Sequence, residues 1–331
     1  MTHRADRPRG WVVVTMLVVA VLALSSAALF IRWLEEVPSV SIAAWRMGLA
    51  SLMVGGVTGR RLEMRPWQQG RAHAFLFALL AACFLALHFF SWIASLKLTS
   101  VANSSMLVAT SPLFVALGSA IFLRERPSTS TWIGLCAAIV GASVLALGGG
   151  GVEGLRSGRL SGDLLALLGA VMAAGYLLCG RRVAGVWPTR VYLFWVYAPA
   201  FIILLVLAMA THAKLVGWSP RAYFFLLCIA LGPQAIGHST LNWALRHFPA
   251  TTVSLVTLAE PIGAALLAWA FLAERPGLHQ VIGGGILLSG LYWASLHRRA
   301  ERRRAMDSGT GAGDSTQPTS NQKVRNLSLG G

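Results

Sequence analysis

Charged side chains are what this chain has least of. Asp, Glu, Lys and Arg make up 12% of its 331 residues, about half the share of a soluble domain. Hydrophobic residues make up 56%, and the mean hydropathy is +0.64. That balance excludes a water-soluble globule. Chemistry-bearing signatures are missing too. No Walker A loop, HExxH or GxSxG occurs, and no GxGxxG opens a helix after a strand, so ATP-driven work and the commoner hydrolytic reactions lack support. The four cysteines, Cys83, Cys136, Cys179 and Cys228, form neither a CxxC nor a Cys/His metal spacing. That removes a disulfide framework and a zinc site. The expectation is a non-enzyme with no cofactor and no metal.

What is present is long apolar runs. A bilayer core about 30 Å thick needs roughly 20 apolar residues per helix. Ten such runs are read at 11–31, 38–58, 72–96, 98–123, 128–148, 163–180, 190–210, 222–245, 250–273 and 277–297. They carry helix formers and small residues, not the alternation of barrel strands. The reading is an all-α integral membrane protein of ten transmembrane helices. The first run is longer than the 7–15 residues of a signal-peptide core, so it is read as a retained helix.

The net charge of +16 raises nucleic acid as a partner, and its distribution answers that. With the N-terminus placed in the cytoplasm and loops assigned alternately, 18 arginines fall on the inner side and seven basic residues on the outer. This is the positive-inside pattern for ten helices with both termini cytoplasmic. The expected partner is therefore the lipid bilayer of the cell (inner) membrane, with no nucleic acid. The segment 298–331 reads as a basic, then disordered, cytoplasmic tail.

The chain also repeats itself. At an offset of 149 residues, "SPLFVALGSAIFLRERP" (111–127) aligns with "EPIGAALLAWAFLAERP" (260–276). Pro112 falls on Pro261, Glu125 on Glu274, and Gly134 and Gly141 on Gly283 and Gly290. A first five-helix repeat at 11–148, a glycine-rich connector at 149–162 and a second repeat at 163–297 follow. Five is odd, so the second repeat enters the membrane from the opposite side. Inverted repeats are a mark of secondary transporters, with the substrate at the repeat interface near the midplane.

On these residues the chain resembles the drug/metabolite transporter superfamily, in the form that carries two EamA-type repeats. "FLRERP" and "FLAERP" ending the fourth and ninth helices, the glycine-rich fifth and tenth, and "AAWRMGLASL" in the second carry the likeness. The resemblance implies that helices one to four and six to nine line a path, with five and ten peripheral. It implies a secondary, non-ATP transporter of a small-molecule substrate such as an amino acid or related compound, an exporter working by alternating access. A flippase for a lipid-linked intermediate is the alternative.

Of the Asp, Glu, Lys and Arg residues, Arg46 and Glu260 are the ones placed well inside a span. A charge at a helix centre costs about 2.5–3.5 kcal/mol on insertion scales. Glu260 is read as a proton-coupling or amine-binding carboxylate, or as a structural one paired with Arg46. Arg46 is read as holding a substrate carboxylate or the local electrostatics. Glu260 falls opposite Ser111 in the first repeat, so its charge is particular to the second. Pro112 and Pro261 are expected to kink their helices, with Pro261 freeing the carbonyl of Thr257. On straight-helix geometry Thr257 shares a face with Glu260, as Ser104 does with Ser111. His88, Ser91, Trp92 and Ser95 form one polar stripe, and Gln234, His238 and Asn242 another. Trp45, Trp92, Trp195, Trp243 and Trp269 with Tyr176 could stack on a ligand, while Trp11, Trp33, Trp67, Trp187 and Trp218 read as an interfacial belt. The glycines spaced by seven in helices five and ten favour close packing, including a homodimer.

Overall fold

The computed structural model describes residues 10–59, 72–123, 129–147, 158–183, 185–247 and 256–293. The connector up to residue 157, the tail, and the loop arginines at 60–71 and 124–126 lie outside the described residues. Those described form a helical bundle: α1 (Gly10–Arg32), α2 (Ser39–Thr58), α3 (Ala72–Leu96), α4 (Val101–Val108), α5 (Ser111–Leu123), α6 (Thr129–Leu147), α7 (Arg159–Val183), α8 (Thr189–Ala210), α9 (Pro220–Ile229), a π-helical segment (Ala230–His238), α10 (Ser239–His247), α11 (Glu260–Leu272) and α12 (278–293). Among the described residues, seven stretches, the first at Trp11–Arg32 and the last at Pro220–Ala244, are long and apolar enough to cross a membrane. The ninth expected run is shorter because a turn at residues 258–259 leaves α11 only 13 residues.

The sequence offset reappears in the helices. The starts of α1 and α7, of α5 and α11, and of α6 and α12 are each 149 residues apart. The packing follows the same exchange. α3 lies along α7, and α1 lies along the π-helical segment, which is that pairing with the repeats swapped. Small residues let the first pair approach. A Cβ on Gly175 would stand 2.6 Å from the Phe84 ring, and one on Gly169 would stand 3.3 Å from Ser91 Oγ. Such bare faces are how helices associate without a hydrophobic drive between them.

The glycines of α6 and α12 face each other within one chain. A Cβ on Gly141 would lie 2.6 Å from the Gly283 carbonyl oxygen, and one on Gly283 would lie 2.8 Å from that of Gly141. This stripe therefore serves intramolecular packing. A homodimer through α6 and α12 would have to use their other faces.

Where α1 and α11 end and α4, α7 and α12 begin, a polar network closes the bundle. Arg32 Nη2 pairs with Glu274 Oε1 at 2.7 Å and donates to the Thr99 carbonyl at 3.1 Å. The Val101 N–H donates to Glu274 Oε2 at 3.1 Å. Gln280 Nε2 donates to Ser100 Oγ at 2.6 Å and to Asn103 Oδ1 at 2.9 Å. Ser100 Oγ also caps α4, accepting from the Asn103 N–H at 3.2 Å, as serine does at helix starts. At the same end Lys97 donates to the carbonyls of Leu34, Glu35 and Val37. Burial pushes this ammonium below its ordinary value, and the Glu35 carboxylate partly opposes the shift.

Candidate functional site

Two helix breaks position the site. In the first half the chain turns at Ala109–Thr110 between α4 and α5, where the Thr110 N–H reaches back three residues to the Leu107 carbonyl at 3.1 Å. In the second half it turns at Leu258–Ala259, and the Ala259 N–H reaches the Val256 carbonyl at 3.3 Å. The offset between the breaks is again 149. Pro112 and Pro261 thus sit in the first turn of new helices, where a missing N–H is harmless and the fixed φ suits the start. This corrects the expected kink: each proline opens a half-helix instead of bending a continuous one.

Both breaks border one cavity of about 80 Å³. At roughly 10–15 Å³ per water by this measure, that is room for about half a dozen waters. α3 contributes His88 and Trp92; the first break contributes Ser105, Val108, Ala109 and Ser111. α7 contributes Ala173, Tyr176 and Leu177, and the π-helical segment with α10 contributes His238, Leu241 and Asn242. Thr257, Glu260 and Pro261 come from the second break. Nine of the side chains singled out in the sequence are therefore brought together: Glu260, His238, Asn242, His88, Trp92, Ser111, Thr257, Tyr176 and Pro261. Asn242 Nδ2 donates to Tyr176 Oη at 2.5 Å and to the His238 carbonyl at 2.7 Å. His88 Nδ1 lies 2.8 Å from the Gly169 carbonyl, and its ring lies parallel to that of Trp92.

Arg46 and Gln234 stand behind this wall. Both are fully buried, and Arg46 Nε donates to Gln234 Oε1 at 2.7 Å. The guanidinium covers the Phe89 ring, its carbon 3.9 Å from the centroid, and lies 5.9 Å from that of Trp92. A desolvated cation on an aromatic face is worth about 2 kcal/mol, which offsets part of its burial. Nη1 and Nη2 have no hydrogen-bond partner. Among the described residues there is no direct ion pair between Arg46 and Glu260.

Several stripe residues turn away from the cavity. Ser91 bonds the carbonyls of Leu87 and His88, and Ser95 bonds the Trp92 carbonyl and Ser104 Oγ. Ser104 was placed beside Ser111 on straight-helix geometry. The break at Ala109–Thr110 rotates that relation, and Ser105 is the cavity residue instead. Gln234 parts from His238 and Asn242 because the backbone from Gln234 to His238 is π-helical, so a spacing of four no longer returns to the same face, a geometry frequent at functional sites. Among the deep aromatics, Trp92 and Tyr176 line the cavity. Trp45 donates to the Leu215 carbonyl at 2.8 Å, Trp269 is exposed, and Trp187 is buried. Asp163 was missed. It is 2% exposed in α7, and Asn103 Nδ2 approaches its Oδ1 at 3.5 Å. Its place on one face with Ala166, Gly169 and Ala170 was the available signal.

Comparison with known proteins fits this geometry. The profile of the EamA-like transporter family matches residues 11–147 and 160–296. The chain is 25% identical over 300 residues to a riboflavin transporter of Rhizobium johnstonii, covering 87% of this chain and 93% of that one. It is 26% identical over 215 residues to a probable terminal-alkyne amino-acid exporter of Streptantibioticus cattleyicolor, covering 62% and 68%. It is 26% identical over 253 residues to a pseudopaline exporter of Pseudomonas aeruginosa, covering 76% and 84%.

Proposed function

Because the chain belongs to the EamA-like transporter family, and is thus a multi-pass membrane transporter and not an enzyme, we propose that it is a secondary exporter of a small metabolite such as an amino acid or related compound. The observation that carries this reading is the meeting of both helix breaks at one cavity with Glu260, His88, His238 and Asn242 among its lining. Discontinuous helices at corresponding places in two repeats mark the binding site in secondary transporters. The two relatives named as exporters support the direction, and the amino-acid exporter supports the substrate class.

In this reading the chain forms ten transmembrane helices as two inverted five-helix repeats, with both termini cytoplasmic in the cell membrane. Rocking of one repeat against the other exposes the cavity alternately. Glu260 is the amine-binding or proton-coupling carboxylate. His88, Trp92, Tyr176, His238, Asn242, Ser111 and Thr257 shape the seat, and Arg46 on Gln234 sets its electrostatics.

Reconstitution into liposomes with labelled amino acids, nucleobases, sugars and amines tests it. Wild type is expected to move one soluble solute. Glu260→Gln is expected to abolish gradient-driven accumulation while leaving exchange; accumulation retained in that variant refutes the coupling role. Translocation of a lipid head group with no solute flux would make the chain a flippase instead.

A further inference from the structure

A groove separate from the central cavity runs along the seam between α2 and α8, with a volume of about 330 Å³. Ala44, Gly48 and Ser51 form its buried floor, and Phe201 and Leu205 its other wall. Leu52 and Val216, 72% and 62% exposed, form its rim. The polar groups on this lining are already spent. Ser51 Oγ donates to the Gly48 carbonyl at 2.8 Å, and Trp45 Nε1 donates to the Leu215 carbonyl at 2.8 Å. A polar occupant would find no partners there, and burying one without partners is costly. The groove suits an alkyl chain.

Its shape is fixed by the fold. Trp45 and Ser41 on α2 hold the backbone of the loop after α8, Ser41 Oγ donating to the Lys214 carbonyl at 2.7 Å. Along the seam, aromatic pegs of α8 stand in glycine notches of α2. A Cβ on Gly48 would come within 3.0 Å of the Phe201 ring, and one on Gly55 within 3.3 Å of the Phe194 ring. The groove lies beside the Phe201 peg. These two helices belong to different family-matched halves, so whatever fills the groove touches both.

Size and depth select the occupant. At roughly 10–15 Å³ per water-sized group, the groove holds about 20–30 such groups, enough for a whole acyl chain. By the α-helical rise, Leu52 lies about 20 Å along α2 from Ser39, more than half of a bilayer core about 30 Å thick. The groove thus runs the depth of one leaflet. Lipid tails are as apolar as leucine, so packing and the head group, not hydrophobicity, must hold a lipid in place. At the loop end Lys214 and Arg221 are both exposed, and the carboxylate beside them is that of Glu36, which accepts from Ser219 Oγ at 2.6 Å. Lys214 Nζ lies 4.7 Å from the centre of the Trp218 ring, and tryptophan marks the head-group level.

We infer that this groove seats one acyl chain of an anionic phospholipid, with Lys214 meeting its phosphate. The lipid then packs on both halves of the chain at once. This seat does not depend on what the central cavity carries.

The full-length protein in liposomes tests it, with phosphatidylglycerol or phosphatidylcholine carrying a photoactivatable diazirine in the acyl chain, and peptide mapping after illumination. Phosphatidylglycerol is expected to label Leu52 and Leu205 more strongly than Leu22 and Leu266, which are 65% and 54% exposed on other helices. Unlabelled phosphatidylglycerol should suppress that signal in wild type better than phosphatidylcholine does. Leu52→Trp changes an exposed rim residue and should remove the label at Leu205. Lys214→Gln should lower phosphatidylglycerol labelling about fivefold, the worth of one basic residue near an anionic surface, and leave phosphatidylcholine labelling unchanged. The seat is refuted if Leu205 is labelled no more than Leu22 and Leu266, or if the two lipids label and compete alike in wild type. If Leu52→Cys instead oxidises to a dimer that excludes the lipid label, a second copy fills the groove and the lipid seat falls.

Discussion

Replacing Glu274 by Gln should loosen one end of the bundle by an amount that can be worked out beforehand. The Arg32–Glu274 side chains are 27% and 28% exposed, so the pair is partly screened and contributes no more than about 1 kcal/mol. The substitution also turns a charged acceptor for the Val101 N–H into a neutral one, a loss of about 1 kcal/mol. Together that is about 1–2 kcal/mol, a factor of roughly 5–30 in the balance between closed and open forms. Ala102 reads this out, because it lines a cavity of about 270 Å³ beside Glu274 and is itself buried. A cysteine placed at Ala102, in a background lacking Cys83, Cys136, Cys179 and Cys228, should react with a water-soluble thiol reagent faster by about that factor in Glu274→Gln. Arg32→Gln should act through the same contact, so the double variant should exceed neither single by much. Unchanged labelling in both singles, or full additivity in the double, would refute a latch made by this pair.

Other consequences are as specific. Gly141→Leu forces atoms into the space of the Gly283 carbonyl and should cost about 1–3 kcal/mol, seen as a lower melting temperature in detergent. Gln234→Ala leaves Arg46 with a third unpaired nitrogen and should cost about 1.5–3 kcal/mol, whereas a combined Arg46→Met and Gln234→Leu should recover much of that stability. Unfolding midpoints of the two variants against wild type check it, and a double variant less stable than Gln234→Ala would overturn it. The Glu260→Gln flux measurement completes the set.

Much of the bundle could be read from apolar runs and one offset. α1 at Gly10–Arg32 lies on the run read at 11–31, and the 149-residue shift matches helix start to helix start. What hydropathy could not show was the interior of a run. Residues 98–123 are evenly apolar, yet the backbone turns at Ala109–Thr110. Hydropathy averages over a window, whereas a turn depends on two residues before a proline. The same blindness swapped Ser104 for Ser105. The π-helical segment was hidden for another reason. Gln234, His238 and Asn242 keep a spacing of four that an α-helix also satisfies, so side-chain periodicity carried no trace of the wider turn. Asp163 was passed over because its span was taken to begin at residue 163. The helix begins at Arg159, which moves the carboxylate from a loop edge into the packed first turns.

Arg46 and Gln234 are 188 residues apart in the chain, and that separation bears on how the molecule is made. At about 5–20 residues per second, the ribosome needs roughly 10–40 s to deliver the glutamine after the arginine has emerged. For that interval the second helix holds a cation that costs about 2.5–3.5 kcal/mol at a helix centre. Phe89 arrives well before Gln234 and gives the guanidinium a face to rest on. Until Gln234 arrives, the Nε–H lacks the acceptor it has in the finished bundle, so the Arg46–Gln234 bond is one that only the two halves together can close.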